Sequence, residues 1–170
     1  MNKQKIIVMG VSGCGKSLIG SLLAEHLGLS FYDGDDFHPP ENVEKMRQGT
    51  PLNDHDRREW LHTLNQLITS KPNAVVACSG LKPQYRELLR QGNEATLIYL
   101  KGDIDTIWKR HQQREGHYFN GRGMLESQFG DLIEPLTDEA VHIDIDQPVE
   151  DVLNDILKAM DDPLAHPTRS

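Results

Sequence analysis

Five short apolar runs alternate along this chain with stretches whose apolar residues recur at helical spacing. Ile6, Ile7, Val8 and Met9 follow one another without a polar break, the pattern of a strand buried on both faces rather than half-solvated. Ser30–Asp33, Ala74–Cys78, Ala95–Leu100 and Val141–Ile145 read as four further strands. Leu18, Leu22, Leu23 and Ala24 line one side of a helix that closes at Leu27 and Gly28. His38-Pro39-Pro40 introduces a helix over 41–48 with Gly49 as its stop, and Pro51-Leu52-Asn53-Asp54 caps a longer one through Trp60, Leu61, Leu64 and Leu67 to Ser70. Pro83 opens a helix over 83–91 ended by Gly92, Asp103 caps one carrying Ile107 and Trp108, residues 124–133 are helical again, and Pro148 begins the last helix. Between Glu115 and Gly123 the periodicity lapses where Gly116, Gly121 and Gly123 gather, which predicts a lid. Strands alternating with helices predict one α/β domain over 1–160, a parallel sheet covered on both faces, and a polar, frayed tail over 161–170.

Composition narrows the ligand. The 170 residues are 37% hydrophobic and 26% charged, with a formal net charge of -8 and a pI near 5.4. Such a chain has a sizeable core but no basic face for nucleic acid, so an anionic ligand must be met locally. No apolar stretch approaches the ~20 residues that span a bilayer, and Met1 leads into a strand rather than a signal-peptide core. Cys14 and Cys78 form neither a disulfide framework nor a zinc spacing, which suits a reducing cytoplasm.

The chemistry begins after the first strand. Gly10-Val11-Ser12-Gly13-Cys14-Gly15-Lys16-Ser17 fits G-x-x-x-x-G-K-[ST] at every required position, and Leu18 starts the apolar side of the following helix. A strand, a glycine loop and a helix is the context in which this motif cradles a nucleotide's phosphates. Backbone N–H groups converge on phosphate, the helix N-terminus adds positive potential, Lys16 reaches the β- and γ-phosphates, and the Ser17 hydroxyl binds Mg²⁺. The plainer alternative is a glycine turn before a helix. The same potential predicts a reactive thiol at Cys14, whereas Cys78, at the end of a central strand, should react slowly.

Ligands of such sheets bind at the carboxyl ends of the strands, where Asp33 and Asp35, Ser79 and Lys82, and Asp144 and Asp146 also fall. Asp33 and Asp35 lie two apart, so both carboxylates can face one cleft. His38 either donates to a substrate hydroxyl or caps the helix after it. Arg57 sits in a helix's first turn, against the dipole, and its planar guanidinium suits a substrate carboxylate. Lys82 and Arg86 share one helical face and are candidates for the substrate's carboxylate or hydroxyls. Arg110 and Arg114, again four apart, lead into the lid and are candidate nucleotide contacts. Arg114 is also the candidate catalytic cation, and spacing leaves open which of the two meets adenine and which phosphate. His111 and His117 lack metal-ligand spacing, and Trp60 and Trp108 have the spacing of core residues.

Three stretches carry a resemblance. Asp33-Gly34-Asp35-Asp36-Phe37-His38-Pro39, Pro51-Leu52-Asn53-Asp54-x-Asp56-Arg57-x-x-Trp60-Leu61 and Cys78-Ser79-x-Leu81-Lys82-x-x-Tyr85-Arg86 resemble the bacterial gluconokinases, small P-loop kinases similar in fold to shikimate kinases. The likeness continues through Gly116-His117, Met124-Leu125-x-Ser127-Gln128-Phe129 and Asp144-x-Asp146-Gln147-Pro148. It implies five parallel strands in the order 2-3-1-4-5, ATP with Mg²⁺, phosphorylation of the 6-hydroxyl of D-gluconate, and a homodimer. It further implies that Asp33 is the water-mediated Mg²⁺ partner and that Asp35 accepts the substrate's hydroxyl proton. Gln128 falls to the substrate side, and Gln147-Pro148 to the adenine. Another sugar-acid or shikimate kinase, or a nucleotide-dependent switch, are the alternatives; the guanine-selecting Asn-Lys-x-Asp tetrapeptide is absent.

Overall fold

A computed structural model describes residues 4–11, 13–112 and 122–161. The strands are β1 (Lys5–Met9), β2 (Ser30–Asp33), β3 (Ala74–Ala77), β4 (Thr96–Lys101) and β5 (Val141–Asp144). The helices are α1 (Lys16–Leu27), α2 (Pro40–Arg47), α3 (Asp54–Ser70), α4 (Pro83–Leu89), α5 (Ile104–Gln112), α6 (Arg122–Asp131) and α7 (Val149–Asp161), with a short 3-10 helix at Gly34–Phe37. The five strands form one sheet in the order β2-β3-β1-β4-β5, every pairing parallel. Sheet type and order are those expected.

The central strands are apolar without alternation because both faces are covered. Ile6, Ile7, Val8 and Met9 of β1 and Val75 and Val76 of β3 are all at most 2% exposed. Helix ends follow local chemistry. Asn53 and Asp56 form a reciprocal capping box at the start of α3, satisfying two backbone donors that the helix leaves orphaned. Asp56 also accepts both short hydrogen bonds from Lys45 of α2, at 2.9 and 2.8 Å. That pins α2 against the entrance of α3.

The corrections to the expected elements are small. Lys16 and Ser17 belong to α1 rather than to the loop before it, because Gly15, left-handed at φ 94°, is its N-cap. The lid expected over 115–123 falls mostly on residues 113–121, outside the described residues. Arg122 and Gly123 are already helical in α6, where Arg122 pairs with Asp105 at 2.8 Å and with Glu126 one turn on at 3.6 Å. The tail from 162 onward likewise lies outside the described residues. Among those described, no helix is long and apolar enough to cross a membrane.

Candidate active site

The loop after β1 turns back under its own glycines. The Gly10 N–H donates to the Ser79 carbonyl at 3.2 Å and Cys14 N–H to Val11 O at 3.2 Å. Gly13 at φ 86° and Gly15 at φ 94° hold the left-handed conformations that let successive N–H groups turn inward. The first turn of α1 contains no acidic residue, so the positive end of the helix dipole is left for an anion. Lys16 is buried at 8% exposure and reaches the cleft described below, whereas Leu18 shows its side chain to solvent. Ser12 lies outside the described residues.

Cys14 departs from expectation. It is 1% exposed and belongs to the core cluster, and a Cβ added to Gly10 would come within 2.5 Å of its Sγ. The thiol therefore packs beneath the loop instead of facing the phosphate side, and the reactive-thiol expectation is not met. Cys78 is also buried, which pushes its thiol up to about 12, in keeping with a slow thiol.

Beside the loop, the Ser17 hydroxyl donates to Asp33 Oδ2 at 2.7 Å, and Asp33 Oδ1 accepts the Asp35 N–H at 3.0 Å. A hydroxyl and a carboxylate oxygen at the mouth of a phosphate loop are hard donors that suit Mg²⁺, which takes few protein ligands and fills its shell with water and phosphate. Among the described residues no group of three or more His, Cys, Asp or Glu is placed to hold a metal. Burial first, then the negative charges of Asp33 and Asp35, raise the neighbouring Asp36 carboxyl.

Asp35 owes its position to its neighbours. Asp33 caps the 3-10 helix, and Gly34 lies so close to β3 that a Cβ there would sit 2.4 Å from the Ala77 carbonyl. Trp60 Nε1 donates to Gly34 O at 2.7 Å from the other side. Asp35 is thereby brought into one cleft with Lys16, His38, Arg57 and Gln128. Five residues expected from sequence, on α1, the 3-10 segment, α3 and α6, converge there. Pro51, Leu52, Ser79 and Ser127 line it too, as does Trp60. Trp60 has the spacing of a core residue; it is 2% exposed, and it also stacks on His38 with centroids 4.1 Å apart. His38 does not cap α2, whose N-cap is Pro39.

Arg57 answers the problem of a cation in a first turn. Its Nη1 donates to the Tyr85 hydroxyl at 3.0 Å and lies 3.4 Å from Asp131 Oδ2 of α6, and its guanidinium sits 5.4 Å from the Tyr85 ring centroid. Tyr85 in turn donates to Asp54. Lys82 does not line this cleft. It binds Asp54 Oδ1 at 3.1 Å, behind Tyr85. The hydrogen bonds from Tyr85 and then Lys82 hold the Asp54 carboxyl below its ordinary range. Arg86 is 1% exposed. Its Nε donates to Glu139 Oε2 at 2.9 Å and its Nη1 to Gly80 O at 2.8 Å. The shared helical face that suggested a substrate-binding pair instead aims both cations at protein partners 28 and 53 residues away.

At the opposite edge Arg110 Nη2 donates to Gln147 O at 3.3 Å. The Gln147 amide is fixed by Asp144 O and Asp155 Oδ2, both at 2.8 Å, and the Pro148 carbonyl starts α7 by accepting from Asp151 and Val152. Two expected nucleotide contacts are thus neighbours. Arg114 lies outside the described residues.

The family profile described as Shikimate kinase matches residues 12–161. The thermoresistant gluconokinase of Escherichia coli is 48% identical over 86% of this chain and 87% of its own length. The chain belongs to the gluconokinases of the shikimate kinase family. The thermosensitive gluconokinase of the same organism is 43% identical over 94% and 89% of the two chains. A crystal structure of a gluconokinase from Sinorhizobium meliloti superposes with a TM-score of 0.86 at 37% identity, covering 92% of this chain and 90% of that one. The resemblance carried by the Asp33–Pro39, Pro51–Leu61 and Cys78–Arg86 motifs is borne out. The gluconokinase motifs already contained Trp60 and Ser127. Trp60 has the spacing of a core residue and Ser127 no signal beyond its motif, and only the meeting of α3 and α6 makes them walls of a cleft.

Proposed function

We propose that this chain transfers the γ-phosphoryl group of ATP to the 6-hydroxyl of D-gluconate, giving 6-phospho-D-gluconate and ADP. The observation that carries the reading is the single cleft in which Lys16, Asp35 and Arg57 meet, next to the Ser17–Asp33 pair. In this reading the loop from Gly10 to Ser17 and the N-terminus of α1 bind the phosphates. Ser17 and Asp33 hold Mg²⁺, which when bound neutralises charge on the β- and γ-phosphates. Arg57 receives the gluconate carboxylate in the fork geometry that a guanidinium offers, and Gln128 meets a hydroxyl. Asp35 takes the proton from the 6-hydroxyl as its oxygen bonds to phosphorus and the bond to ADP breaks, while Lys16 offsets charge on the transferring oxygens.

Arg110 with Gln147 and Pro148 forms the adenine side, and Arg114 meets the phosphates. Lys82 and Arg86 contribute from behind, through Asp54 and Glu139. The same reading takes the protein as a cytoplasmic homodimer that engages neither nucleic acid nor membrane. Release of ADP from Mg-ATP, measured over gluconate, related aldonates, shikimate and nucleoside monophosphates, tests the substrate. Gluconate should exceed every other acceptor by far; equal or greater turnover with shikimate or a nucleotide would refute the assignment.

A further inference from the structure

His38 is more confined than a residue that only touches substrate needs to be. Its side chain is 2% exposed, its ring is stacked on Trp60 at an interplanar angle of 17°, and its two nitrogens face different groups. Nδ1 lies 3.2 Å from Asn42 Nδ2, and Nε2 lies 3.7 Å from Asp35 Oδ1. Asn42 comes one turn later, on α2, and is 3% exposed. No residue of the cleft lining includes it.

The orientation of Asn42 follows from a third group. Its Nδ2 also donates at 2.8 Å to the carbonyl of Asp56 in α3, and a carbonyl can only accept. Turning the amide over would set its oxygen against that carbonyl and leave a buried acceptor facing a buried acceptor. The NH₂ group therefore stays where it is, with one hydrogen for Asp56 O and one for His38 Nδ1. An amide nitrogen has no acceptor capacity, so His38 Nδ1 must present its lone pair and the ring proton must sit on Nε2. In the opposite tautomer two N–H groups would confront each other at Nδ1, and a lone pair would face the Asp35 carboxylate.

We propose that Asn42 and His38 are positioning residues for the phosphoryl transfer, resting on the gluconokinase reading above. Asn42 locks His38 as the Nε2–H tautomer, and that N–H holds the Asp35 carboxylate in the orientation from which it takes the hydroxyl proton. The 3.7 Å separation closes to a hydrogen bond when substrate fills the cleft, as catalytic hydrogen bonds do on forming the Michaelis complex. His38 keeps its proton throughout; the proton released by the hydroxyl goes to Asp35. The chain Asp56 carbonyl, Asn42 amide, His38 imidazole and Asp35 carboxylate thus runs from the start of α3 to the reacting oxygen. It also gives the Lys45–Asp56 clamp, which ties α2 to α3, a purpose at the site.

Two measurements test this. Imidazole ¹⁵N shifts of the unliganded, full-length protein report the tautomer without substrate or turnover, so their outcome is independent of the gluconate assignment. The neutral His38 ring should show a protonated Nε2 and a bare Nδ1; Asn42→Asp, which sets a carboxylate beside Nδ1, should move a proton there. In steady-state kinetics with gluconate, His38→Gln retains an N–H donor near the Nε2 position and should stay within about tenfold of the parent kcat. His38→Phe keeps the stack on Trp60 but has no donor, and should lose ~10²-fold with little change in KM for ATP. A Nδ1–H ring in the parent protein, or equal kcat for His38→Gln and His38→Phe, would overturn the proposal.

Discussion

At the scale of single residues, the site depends on a few atoms fixed by backbone packing. Gly34 is the clearest example: its missing side chain lets the 3-10 helix press onto β3, with the Ala77 carbonyl 2.4 Å from where a Cβ would stand. Trp60 clamps the Gly34 carbonyl from above. Asp35 follows directly, and its carboxylate is the proton acceptor of the proposed reaction. Asp35→Asn keeps the shape and removes the basicity. It should leave ATP affinity intact and lower kcat by ~10²–10⁴, the range for loss of a positioned base. Single-turnover kinetics with nucleotide titration separates the two quantities, and a loss below about tenfold would reduce Asp35 to a binding role.

At the scale of elements, each functional side chain is delivered by an element whose own ends are tied down. The capping box starts α3 so that Arg57 falls in its first turn, and the cation is retained there by α4 through Tyr85 and by α6 through Asp131. Asp131 is a carboxylate at the position where the substrate's own carboxylate is proposed to bind, so substrate must compete with α6 for Arg57. Tyr85 makes no such competition. Its hydroxyl accepts from Arg57 and donates to Asp54, which fixes the guanidinium plane. Tyr85→Phe should therefore weaken gluconate binding more than it slows chemistry. KM for gluconate is expected to rise about tenfold, the equivalent of roughly 1.4 kcal/mol for a hydrogen bond to a charged group, with kcat within about threefold. A drop in kcat with KM unchanged would place Tyr85 in the chemical step instead.

At the scale of the whole molecule, what could be read in advance was what local pattern dictates. Unbroken apolar strands, the glycine loop and its helix, the cap before Asp54, and Asp33 and Asp35 at a strand end all follow from periodicity and motif. All stand in the fold as one parallel sheet with the loop at its carboxyl edge. What could not be read depends on partners far apart in sequence. The helical face that Arg86 shares with Lys82 suggests a substrate ligand, but Glu139 binds it from 53 residues away. Lys82 is taken by Asp54 across 28 residues. The helix field predicts a reactive thiol at Cys14, but the direction of its side chain follows from the turn of the loop beneath Gly10. Trp60, with core spacing, proved both core and wall. Asn42 carried no motif value of its own and gains its meaning only where α2 meets α3.

These scales meet in one claim: the cleft delivers the terminal phosphoryl group of ATP to a single oxygen of gluconate. Incubating the protein with Mg-ATP and uniformly ¹³C-labelled D-gluconate, and reading the ³¹P–¹³C couplings of the product, tests this directly. The account predicts one phosphate ester, on the C6 oxygen, formed in step with ADP. An ester on another carbon, or ATP hydrolysed to free phosphate with gluconate unchanged, would contradict it.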